Sequence, residues 1–140
     1  MERVLAKYKS GKKMNLDDKK KIIQKYLEAY NQFDVDGMLS VLSDDIKFEN
    51  VQNDEVNASS HGKDEFKGIA EQAKALFEER NQTIENIEDS PEITLVKISY
   101  YGKLASDLPN GMKAGDELSL SGASEFVFSD KLICSIRDIS

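Results

Sequence analysis

A single cysteine, Cys134, is present in 140 residues. It has no partner for an intramolecular disulfide and no further thiolates for a zinc site, so a reducing, cytoplasmic setting is expected. No apolar run approaches the roughly 18 residues that a membrane-crossing helix needs. No apolar segment follows the basic residues between Lys7 and Lys13 either, so a secretory leader is not expected. Positive charge is scarce: 19 Lys and Arg against 26 Asp and Glu give −7, which as a whole repels nucleic acid and anionic membrane. Histidine occurs once, at His61, and a glycine-rich phosphate loop is missing. A metal site would have to be all carboxylate, and no such cluster stands at useful spacing; neither metal nor cofactor is expected. Asp34-Val35-Asp36-Gly37 opens like a calcium loop but lacks the later oxygen ligands.

What is there is 39% hydrophobic and 32% charged, the balance of one soluble globular domain. The first thirteen residues hold five basic side chains against Glu2, a local +4 that leaves −11 for the rest. Residues 1–13 therefore read as a basic N-terminal extension and residues 14–140 as the domain. Asn15 is a plausible N-cap, with Asp17 and Asp18 in the first turn. Leu16, Ile22, Ile23, Tyr26, Leu27, Tyr30 and Phe33 then recur at helical spacing. Asp34 caps a short second helix carrying Val35, Met38, Leu39 and Leu42, with Gly37 its weak point.

Ser43-Asp44-Asp45 breaks that helix, and Ile46 to Val51 alternates as a half-buried strand with Ile46, Phe48 and Asn50 on one face. Gln52 to Gly62 reads as a polar loop. Phe66, Ile69, Ala70, Ala73, Leu76 and Phe77 form a third amphipathic helix closing near Arg80. The period then becomes two: strands are expected at Thr83 to Ile87, Ile93 to Ala105, Glu117 to Ser129 and Leu132 to Ile139, with a turn at Asn110-Gly111. Helices first and strands afterwards predict an α+β fold, three helices laid on a strongly curved antiparallel sheet.

That order resembles the nuclear-transport-factor-2-like superfamily, in particular its SnoaL-like and ketosteroid-isomerase-like group. The resemblance is carried by Ile23 to Tyr30, Asp34 to Leu42, Asp44-Asp45-Ile46-Lys47-Phe48-Glu49-Asn50, His61-Gly62-Lys63-Asp64-Glu65-Phe66 and the terminal Ile136-Arg137-Asp138-Ile139. It implies a cone whose interior is walled by the inner sheet face and roofed by helices one and three, but a fold locates a site without naming its chemistry. In ketosteroid isomerases, a known case of carboxyl pKa tuning, a tyrosine and a protonated aspartic acid hold the oxyanion while another aspartate shuttles the proton. Tyr26 matches the tyrosine. The base falls on Asn50 and the second acid near Ser124, so steroid-type isomerisation is not expected: an amide cannot abstract a proton.

The candidate ligand-binding residues are thus Tyr26, Tyr30, Phe48, Asn50, Tyr100 and Ser124. Tyrosines at helical spacing are also ordinary core residues, and a core asparagine paired with backbone would give the same pattern as Asn50. With Asn50 unable to shuttle a proton, Asp138 and His61 are the catalytic candidates. A strand carboxylate such as Asp138 can instead form a surface salt bridge, and a lone loop histidine is often just exposed. The expected function is a small-molecule pocket protein, an isomerase, cyclase or hydratase acting on a small hydrophobic or mixed-polarity ligand. The competing reading is a non-catalytic dimerisation or protein-interaction module. A homodimer through the outer sheet face is expected, with Leu120, Val127 and Ile133 available for it.

Overall fold

The structure, a computed structural model, describes residues 14–140; the basic extension expected at residues 1–13 lies outside the described residues. Helix α1 (Leu16–Asn31) starts where Asn15 accepts a hydrogen bond from the Asp18 N–H at 2.8 Å, with Asp17 and Asp18 facing the positive end of the helix dipole. Its buried stripe is Ile23, Tyr26, Leu27 and Ala29. The chain leaves it through Phe33 at φ 60° and enters α2 (Val35–Leu39), capped by the Asp34 carboxylate on the Gly37 N–H at 2.9 Å. Gly37 is what allows that cap: a Cβ there would collide with the Asp34 carboxylate.

Strand β1 (Leu42–Gln52) turns at Asn53-Asp54, both with positive φ, into β2 (Glu55–His61). This corrects the loop expected over Gln52 to Gly62. The segment is an edge strand, hydrogen-bonded on one side only, and its polar sequence is how edges stay unpaired. Helix α3 (Lys63–Ala75) follows, burying Phe66 and Ala70. It ends five residues before the expected boundary near Arg80, because Phe77 begins β3 (Phe77–Asp89), and Leu76 and Phe77 only mimic helical spacing. The short strand expected at Thr83 to Ile87 is the middle of β3.

β4 (Thr94–Leu104), β5 (Glu117–Ser129) and β6 (Leu132–Ile139) complete a six-stranded sheet in the order β2-β1-β6-β5-β4-β3. The Asn110-Gly111 turn forms inside a longer loop, where the Gly111 N–H donates to the Leu108 carbonyl at 3.2 Å. All sequential pairs are antiparallel, but β1 and β6 run parallel, so the sheet is mixed rather than wholly antiparallel. Hairpin signals speak only for neighbours in sequence; the first and last strands meet through the whole fold.

The helices cover one face of the curved sheet, and Phe126, Ile136, Ile46, Val96 and Ile98 from the strands enclose Ile23, Leu27 and Phe66. No helix among the described residues is long and apolar enough to cross a membrane.

Candidate functional site

Strand alternation decides which polar groups enter the interior. In β5, Ser124 and Phe126 share a face; in β6, Ile136 and Asp138 do; and the register sets Phe126 opposite Ile136 and Ser124 opposite Asp138. Phe126 and Ile136 are 1% exposed, so that face is the core side, and Ser124 and Asp138 extend it toward the strand ends. The Ser124 hydroxyl donates to Asp138 Oδ1 at 2.7 Å. Burial pushes the Asp138 carboxyl up to about 6 from 3.8, and the Ser124 hydrogen bond, which favours the charged form, opposes the rise. The surface salt bridge that could have explained Asp138 is made by its neighbour: Arg137 points the other way and bridges Glu49 at 3.7 Å and Glu125 at 3.8 Å on the outer face.

Three tyrosines face the same interior. Tyr26 is buried against Phe126, edge to face with centroids 6.0 Å apart. Its phenol is raised by desolvation first and then by the negative charge of Asp138, while Arg80 opposes. One turn on, Tyr30 places its hydroxyl 3.0 Å from that of Tyr100 on β4. Burial raises both phenols, so both stay protonated and one of the two O–H protons remains free for a third partner.

The other expected residues lie as follows. Phe48 packs edge to face on Phe66 at 5.6 Å, on the apolar wall rather than beside the polar groups. Asn50 is in register with Asp138, but its amide donates to Asn57 Oδ1 at 2.7 Å, and Asn57 in turn donates to Gln52 at 3.1 Å. Its partner is therefore an amide chain at the exposed strand end. His61 pairs with Lys47 in the ladder, one residue after the inward-facing Ser60, so its side chain lies on the face away from Asp138. The backbone N–H of His61 donates to Glu65 at 2.9 Å. The two catalytic candidates are not brought together.

Arg80 is the interior residue that the sequence did not single out. It is 4% exposed, opposite Gly102 and in step with Tyr100 on the inner face. Alternation counted from Phe77 would turn it outward; the register shift between Phe77 and Glu79 puts it in step with Gln82 and Ile84.

A groove of about 310 Å³ is lined by Asn81, Thr83, Ser99, Tyr100, Tyr101, Ser119, Leu120 and Ser121. All of these but Tyr100 and Leu120 alternate with Arg80, Gln82 and Ile98, so the groove opens mainly on the outer face, and Asp138 is not in its lining. Its size does not make it the centre of the chemistry, since the groups able to move a proton face the other way. Ile133 is fully buried, so it adds no apolar area to that outer face, contrary to expectation. Among the described residues no group of three or more His, Cys, Asp or Glu is placed to hold a metal ion.

Residues 23–136 match the model of the SnoaL-like domain family. The sequence matches no curated protein. Among solved structures, a candidate SnoaL-like polyketide cyclase from Jannaschia sp. CCS1 superposes with a TM-score of 0.75 at 10% identity, covering 91% of this chain and 90% of the other. A candidate polyketide cyclase from Xanthomonas campestris pv. campestris gives 0.73 at 18% identity over 91% and 93%. AclR, a candidate hydroxylase from Streptomyces galilaeus, gives 0.71 at 15% identity over 89% of each chain. At such identities the likeness is one of fold.

Proposed function

The chain belongs to the SnoaL-like domain family, and on that footing we propose that it is a small-molecule enzyme in which Asp138 moves a proton on a substrate held at the inner sheet face. The observation that carries this reading is the Ser124–Asp138 pair: a carboxyl facing the core side, raised to about 6, is balanced between acid and base near neutral pH. A substrate carbonyl would take the free O–H of the Tyr30–Tyr100 pair as negative charge develops on its oxygen. Asp138 would remove a proton from the adjacent carbon and return it elsewhere, the common step of an isomerase, cyclase or hydratase on a small hydrophobic or mixed-polarity carbonyl compound. Asn50, tied to Asn57, takes no part in proton transfer, so steroid isomerisation remains disfavoured. Native mass spectrometry of protein purified from its own host would identify a retained ligand. Turnover of that compound should fall by ~10²-fold or more in Asp138→Asn while its binding survives. Unchanged turnover would remove Asp138 from the mechanism.

A homodimer through the outer face is part of the same proposal. Supporting it are the shallow groove of Ser99, Ser119 and Ser121 and the flanking Glu49–Arg137–Glu125 ladder, which offer a broad polar surface for isologous contact.

A further inference from the structure

Arg80 carries a charge that the interior does not balance. Its guanidinium carbon lies 3.7 Å from the centroid of Tyr30 and 4.6 Å from that of Phe33, and its Nε donates to the Tyr30 carbonyl at 2.9 Å. That bond explains part of its position. Helix α1 has no basic residue in its last turn, and Arg80 supplies positive charge at the negative end of the dipole. It does not explain Nη2, which is buried without a hydrogen-bond partner. Among the described residues no carboxylate lies within ion-pair distance of Arg80, and Asp138, the acid of the same interior, is bonded to Ser124 instead. Guanidinium cannot shed its proton to escape burial, and ring faces and one carbonyl offset only part of the cost of desolvating it.

We infer that Arg80 is the receptor for an anionic oxygen of the ligand, so that the compound taken up at the inner face is a small carboxylate. The inference rests on the reading of the inner face as the ligand site. Tyr30, stacked on the guanidinium, and its partner Tyr100 are only part-buried, so their hydroxyl pair connects this charge to the accessible end of the interior. A carboxylate entering there would take Nη2, while the one free tyrosine O–H stays with the carbonyl oxygen of the same compound. Its uncharged remainder would run toward the Ser124–Asp138 pair. The acid of the site and the cation of the site would then hold opposite ends of one substrate.

Isosteric acid and amide pairs test this directly: acetate against acetamide, benzoate against benzamide, 2-naphthoate against 2-naphthamide, each titrated calorimetrically into the full-length protein. At least one acid should bind about tenfold or more tightly than its amide, as a charge-assisted hydrogen bond requires. Arg80→Gln should abolish the preference and Arg80→Lys should keep part of it. Loss of the helix-capping role would lower the melting temperature but would not alter an acid-to-amide ratio. If Arg80→Gln does not fold, the side-chain ¹⁵N resonances of Arg80 in the wild type decide, shifting with the preferred acid and not with its amide. No acid preferred over its amide, or a preference that survives in Arg80→Gln, overturns the inference. Asp138→Asn separates the two proposals: lost turnover with the acid preference intact supports both, and intact turnover with an Arg80-dependent preference removes the acid–base reading alone.

Discussion

Asp138 ties stability to pH with a definite sign. Its carboxyl holds a proton up to about 6 in the folded protein but only to about 3.8 in the unfolded chain. Between those values the unfolded state has released the proton and the folded state has not, so rising pH favours unfolding; above about 6 the penalty is constant. The magnitude is about 2–3 kcal/mol. Urea denaturation from pH 4 to 7 should therefore show wild type losing about that much relative to Asp138→Asn. A flat difference would mean that the carboxyl is hydrated in solution. The sequence made Asp138 a candidate through alternation with Ile136, but its partner Ser124 emerged only from the register between β5 and β6.

At the scale of elements, α1 is fastened to β3 by a pair of hydrogen bonds from one side-chain amide. The Gln82 N–H donates to Asn31 Oδ1 at 2.8 Å, and Asn31 Nδ2 donates to the Gln82 carbonyl at 3.3 Å. Asn31 thus satisfies the backbone of an edge strand and fixes the end of the helix that carries Tyr26 and Tyr30. Asn31→Ala should cost about 1–3 kcal/mol, because both Gln82 groups lose their partner, measurable by chemical denaturation. Helices with a cap and a clear stripe were legible: Asn15, Asp17 and Asp18 mark the start of α1, and Ile23, Tyr26 and Leu27 its buried side. The boundary between α3 and β3 was not, since Leu76 and Phe77 satisfy both periods and only pairing of Phe77 with Leu104 selects the strand. β2 was hidden for a different reason. Its residues are polar because one edge and most of one face meet water, and a polar run looks like a loop until its hydrogen bonds to β1 are seen.

At the scale of the molecule, Phe126 is the side chain on which the layers close, 1% exposed and packed on Tyr26. Phe126→Ala should destabilise by about 3–5 kcal/mol in thermal or chemical unfolding, and should loosen Tyr26 with it. Sedimentation at micromolar concentration should give a dimer, and charge reversal at Arg137, which holds Glu49 and Glu125 together on the outer face, should weaken it. A wild-type monomer would count against the outer-face contact. What the amino-acid order determined by itself was local: which stretches have period 3.6 and which period two, where caps and turns stop them, and that acid outweighs base. These follow from backbone geometry and side-chain type within a few residues. Only the tertiary structure decided that β1 lies beside β6, that His61 faces outward while Asp138 faces in, and that Arg80, distant in sequence from Tyr30, ends beneath its ring. Those outcomes depend on strand register and on pairing across the whole chain, where a shift of one residue exchanges the inner and outer faces.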